Sequence, residues 1–93
     1  MQFKIMTIYD KLMEIGIDTD EDIIQFDGYD NACIWITDDN RLVYDYSKLV
    51  LETMKMDSCS RVDAIEWVDF NILGMKGNNM PVIMYNIWEE EWN

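Results

Sequence analysis

The chain has 93 residues, with 19 acidic side chains against seven basic ones, no histidine and a formal charge of -12. A field of that sign repels nucleic acid and steers cationic surfaces inward, so direct binding to DNA or RNA is excluded. Hydrophobic residues make up 49% and aromatic residues 13% of the chain, which excludes a disordered acidic tail, and no apolar run approaches the roughly 20 residues needed to cross a bilayer.

Ile5, Ile8, Leu12 and Ile15 recur at helical spacing, and Gly16 follows where a left-handed stop is favoured, so a first helix is predicted over residues 4 to 15. Asp18 or Thr19 then offers a cap. Asp20, Glu21 and Asp22 crowd the positive end of a predicted short helix running to Phe26, with Gly28 turning the chain. Ala32 to Thr37 and Leu42 to Tyr46 read as two strands joined by Asp38-Asp39-Asn40, a β-hairpin with apolar bulk on both faces. Ser47 is the expected N-cap of a helix bearing Val50, Leu51 and Met54 and ending near Met56. Ser60 with Asp63 resembles a capping box ahead of a helix whose apolar stripe is Val62, Ile65, Val68, Ile72 and Leu73, up to Gly74. Pro81 opens a last strand, Val82 to Ile87. The expected fold is one α+β domain spanning residues 1–93, a small three-stranded antiparallel sheet packed against about four helices in the order ααββααβ.

The residues supply little for chemistry. Asp18, Asp20 and Asp22 have the alternate spacing that opens a calcium loop, but Ile23 stands at its sixth position and Tyr29 at its twelfth, so no metal site is assigned and the acids are read as a solvated helix start. Ser47, Ser58, Ser60, Cys33 and Cys59 have no histidine to act as base, and no glycine-rich phosphate loop is present. A protein without enzymatic activity and without a cofactor is expected. The start of the chain lacks the basic flank and apolar stretch of a secretory signal, so a cytoplasmic location is expected, with both cysteines reduced.

The acids themselves are the most informative pattern. Residues 12 to 40 hold nine carboxylates and no Lys or Arg, and Asp63, Glu66 and Asp69 follow one another at three-residue steps along the last helix. Side chains so spaced are about 5 to 6 Å apart on a helix, similar to the charge spacing of a nucleic-acid backbone. Two readings follow. In the first, Asp18, Asp20, Glu21, Asp22, Asp63, Glu66 and Asp69 meet a basic protein, a nucleic-acid-binding effector, with Trp67 as apolar anchor. In the second, the charge only keeps the chain soluble, and Trp35, Trp67 or the segment Trp88 to Trp92 forms an interaction or oligomerisation surface. Trp35 is expected in the core, and a monomer or small homo-oligomer fits either reading.

The stretches FDGYDNACIWITDDNRLVYDYSKLV, VDAIEWVDFNILG and MPVIMYNI, from Phe26 to Ile87, resemble small acidic proteins carried by phages and mobile elements of Gram-positive bacteria. The similar features are the acid-rich turn before the hairpin, Val43-Tyr44-Asp45-Tyr46, Ala64-Ile65-Glu66-Trp67 with Asn71, and Pro81-Val82-Ile83. The resemblance implies an anti-CRISPR or other anti-defence inhibitor acting in the host cytoplasm, a class in which several members look like DNA to their targets.

Overall fold

The computed structural model describes residues 7–18, 23–75 and 77–88. Helix α1 is Ile8–Glu14. Thr7 caps it: the Thr7 hydroxyl accepts from the Asp10 N–H at 3.2 Å, and the Asp10 carboxylate accepts from the Thr7 N–H at 3.1 Å, so two otherwise orphaned donors are satisfied reciprocally. Ile8 and Leu12 are its buried residues, and Gly16 carries the expected positive φ of 87°. Of the predicted second helix, residues 19–22 lie outside the described residues and residues 23–26 are not helical. The reason is tertiary. The Phe26 N–H donates to the buried Tyr44 hydroxyl at 3.0 Å, while Ile23 and Phe26 both enter the core, an arrangement that leaves no use for a helical ladder.

After a single 3-10 turn at Asp30–Ala32, strands β1 (Cys33–Ile36) and β2 (Leu42–Asp45) form the predicted antiparallel hairpin. The Thr37 N–H donates to the Arg41 carbonyl at 2.8 Å across the turn, and Asn40 takes a positive φ of 63°, which Asn tolerates better than most residues. A bulge falls between Cys33 and Trp35. Asp45 ends β2 and at once caps helix α2 (Tyr46–Asp57), accepting from the Lys48 N–H at 3.0 Å and from the Ser47 hydroxyl at 2.7 Å. The cap is therefore Asp45 and not Ser47, whose hydroxyl serves Asp45 instead. Ser58, at φ 49°, ends α2. Helix α3 is Arg61–Asn71, with Ser60 accepting from the Asp63 N–H at 3.2 Å, and β3 is Val82–Met84.

Two expectations are corrected here. The sheet runs β1-β2-β3, and although β1 and β2 are antiparallel, β3 lies parallel to β2 in the register Val43↔Val82, Tyr44↔Ile83, Asp45↔Met84. The sheet is mixed. Parallel neighbours need a crossover of a dozen or more residues, and α2 and α3 together supply it between β2 and β3. The described residues contain three α-helices and not about four, in the order αββααβ.

All four residues of β2 are buried, as befits a central strand covered on both faces. Tyr44, Leu42, Leu49, Val50 and Val68 are its largest fully enclosed neighbours and members. The stripe expected on α3 is rotated: Ala64, Val68 and Ile72 are buried, whereas Val62 is 66% exposed. Trp35, expected inside, is 68% exposed.

One buried polar chain ties the loop before β1 to α2. The Thr53 hydroxyl donates to the Leu49 carbonyl at 2.9 Å, and because a hydroxyl has one hydrogen, the Tyr29 hydroxyl must donate to Thr53 Oγ1, 2.6 Å away. Thr53→Val, which leaves the Tyr29 hydroxyl stranded, is expected to cost about 1 to 3 kcal/mol in urea unfolding. Tyr29→Phe added to Thr53→Val should recover part of that loss. A double variant as unstable as the sum of the singles would show that the bond is not what matters.

Candidate functional site

With 3.6 residues per turn, Val62, Glu66 and Phe70 form one row along the side of α3 opposite Ala64 and Val68. Asp63 flanks that row on one side and Asp69 on the other. All five side chains are exposed, Phe70 at 84%. The carboxylates expected to form a stripe are thus brought to one face, crossing it obliquely, but they alternate with two apolar groups. The ion pairs Lys11–Glu14, Asp39–Arg41 and Glu52–Lys55 engage other acids, and the α3 face carries three carboxylates, with Arg61 at the start of the helix.

Asp69 is fixed in direction. Its Oδ1 accepts from the Tyr46 hydroxyl at 2.6 Å, and the Tyr46 ring in turn stacks on Tyr85 with centroids 4.8 Å apart, so a carboxylate of α3 is oriented by the start of α2 and the chain just past β3. On the opposite flank Trp67 is 41% exposed and lies nearly parallel to Tyr29 at 6.3 Å. An apolar depression of about 230 Å³ adjoins it, lined by Phe26, Tyr29, Trp67, Ile72 and Met75, with Asp27 and Gln25 at its edge. Half of Trp67 is therefore committed to the fold, and the freest aromatic on this face is Phe70. The sequence reading passed over Phe70, yet its place four residues after Glu66 and seven after Asp63 puts it on the acidic side.

The remaining predicted site residues are not gathered with these. Asp18 is exposed beyond the end of α1, and Asp20, Glu21 and Asp22 lie outside the described residues. Among the described residues no group of three or more acids, cysteines or histidines has the geometry to hold a metal ion. Cys33 and Cys59 are free thiols. Burial, with a contribution from Asp30, pushes the Cys33 thiol up to about 11, so it is protonated at neutral pH and poorly nucleophilic. No helix among the described residues is long and apolar enough to cross a membrane.

Compared with protein-family models, curated proteins and solved structures, the chain matches none. The reading of this face stands on its geometry.

The buried tyrosines make the fold sensitive to alkali. Burial first, and the bond to Asp69 second, raise the Tyr46 hydroxyl above its ordinary value of 10.0, and burial likewise raises Tyr44 and Tyr29. A proton held more tightly in the folded state contributes stability that is complete below the unfolded value and is lost as pH rises toward the folded one. The urea midpoint is expected to begin to fall at about pH 9, where the unfolded Cys33 thiol ionises, and to fall more steeply between about pH 10 and 11.5 as the unfolded tyrosines follow. Tyr46→Phe should make that fall shallower; an alkaline slope unchanged in this variant would contradict the assignment.

Proposed function

We propose that the protein is a non-enzymatic inhibitor that uses the outer face of α3 to occupy a basic groove on a partner protein. The observation that carries this reading is the composition of that face: Asp63, Glu66 and Asp69 surround Val62 and Phe70, which are 66% and 84% exposed. Binding energy in protein interfaces concentrates in a few apolar or aromatic anchors ringed by polar groups. Charged groups around them set approach and register. A bare phosphate mimic would need only the carboxylates; the apolar pair favours a protein groove that also offers a greasy step.

The partner class follows from the charge. A nucleic-acid-binding effector presents a channel lined by Lys and Arg, and with 19 acidic and seven basic residues the chain is steered toward it. The resemblance to phage-borne acidic proteins supports a host defence nuclease as that effector and the host cytoplasm as the place of action. No cofactor or metal takes part in this reading, and nucleic acid competes with the chain without binding it.

The exposure of Trp35, Ile87 and Trp88, at 68%, 78% and 85%, favours a second reading in which the chain self-associates or joins another protein by apolar contact alone. The two separate in one set of measurements. Mixed with an RNA-guided nuclease, the chain is expected to block DNA loading and to bind more weakly at about 0.5 M salt. Asp63→Lys with Glu66→Lys and Asp69→Lys should abolish the block, and Phe70→Ala should weaken it by about 2 kcal/mol, roughly 30-fold. Binding that ignores both salt and charge reversal but is lost in Trp35→Ala would replace the first reading with the second.

A further inference from the structure

Strand β1 is one of the two outer strands of the sheet, β3 being the other, and among the described residues no strand pairs with the far side of β1. Proteins protect such edges with charges, proline or bulges, since a row of unpaired N–H and C=O groups is a template for another chain. The sequence of β1, Cys33-Ile34-Trp35-Ile36, has neither charge nor proline. Its one device is the bulge between Cys33 and Trp35. Ile34 and Trp35 are nevertheless 43% and 68% exposed. Beside them opens a cavity of about 320 Å³ between β1 and α1, floored by Ile8, Leu12 and Leu42, with Lys11, Asp30 and Asn31 at its rim. Backbone donors and acceptors next to an apolar pocket are what recognition by strand addition requires: the ladder supplies affinity, and the pocket selects a side chain.

The charges at the two ends of β1 decide what the added strand is. Asp30 precedes the strand, and Asp38 and Asp39 follow it. Asp30 lies in the 3-10 turn before β1 and Asp38 and Asp39 in the turn after it, so a second copy laid along this edge in either direction would bring acids of both chains together at each end. Like charges placed opposite each other destabilise a ladder. Asp39 is engaged by Arg41 at 3.2 Å, but Asp30 and Asp38 are exposed. An arriving strand with Lys or Arg at those places converts repulsion at each end into attraction.

We propose that the outer edge of β1 is a second docking site, which takes an extended segment of a partner protein with an apolar centre flanked by Lys or Arg, one apolar side chain entering the cavity over Ile8 and Leu12. This site shares no residue with the α3 face, so the two readings succeed or fail separately.

The test uses the whole chain and two synthetic peptides, KKVTVTVKK and EEVTVTVEE. The basic peptide is expected to slow amide hydrogen exchange at residues 33–36 by about tenfold or more and to leave α3 unchanged. The acidic peptide should do neither. Asp30→Lys with Asp38→Lys, both at exposed positions, should invert the preference by about tenfold, and a basic peptide with proline at its centre should not bind. Equal binding of the two peptides would overturn the proposal, as would protection that maps to α3, a dimer by light scattering that is lost in Trp35→Ala, or protection in the free protein of those amides of residues 33–36 that point away from β2.

Discussion

The side chain of Asp45 holds the architecture together. It lies at the end of β2, is 5% exposed, and accepts from both the Lys48 N–H and the Ser47 hydroxyl. A carboxylate buried this deeply is costly unless every lone pair has a use, and here its hydrogen bonds turn the central strand directly into α2. Because β2 is paired on both sides and buried throughout, the angle at Asp45 also sets where α2 lies. α3 packs on α2 and inherits that placement. The negative face of α3 is thus aimed, through two steps, by one buried carboxylate far from the surface.

Charge and apolar surface are distributed to different ends. Inside, tyrosines perform work that a chain without histidine and with few basic residues must find elsewhere. Tyr44 fixes the backbone at Phe26, Tyr29 reaches Thr53, and Tyr46 orients Asp69. Each buries a large ring and places one donor or acceptor at a specific point. Outside, Val62, Phe70, Trp35 and Trp88 are among the large hydrophobic side chains left in water, in a molecule whose charges are mostly acidic. Scattered exposed hydrophobics are ordinary. Those on α3 and β1 differ in having exposed carboxylates close by in the chain, Asp63, Glu66 and Asp69 on α3 and Asp30 and Asp38 beside β1.

Local elements were legible because their signals are local. Gly16 after a four-residue apolar rhythm, Asp38-Asp39-Asn40 between two β-prone runs, and Ser60 ahead of α3 each specify a stop, a turn or a cap from neighbouring residues alone. The direction of β3 was not legible: it depends on how α2 and α3 return the chain, and Val82 to Met84 would look the same in either orientation. The cap of α2 was misplaced by two residues because Asp45 and Ser47 offer equivalent oxygens, and only burial distinguishes them. The rotation of α3 was missed because apolar residues lie on both its sides, Ala64 and Val68 inward, Val62 and Phe70 outward, so periodicity alone favours neither. The face carrying Asp63, Glu66 and Asp69 was visible in the spacing. Its apolar component was not, since Phe70 and Trp67 both fall off the expected stripe and only the contact of Trp67 with Tyr29 tells them apart.

The parallel seam between β2 and β3 has a consequence for how the chain is born. Its partners are about 40 residues apart in sequence, and contacts that distant form late because a long loop must close first. The hairpin and α2 are assembled from adjacent residues and fold early, which leaves one flank of β2 uncovered until Val82 to Met84 leave the ribosome. During that interval, the strand destined to be the most sheltered in the protein is the one most open to misassembly with a neighbouring nascent chain. The acids that flank it in sequence, Asp38 and Asp39 before it and Asp45 at its end, disfavour the pairing of two such strands by like-charge repulsion.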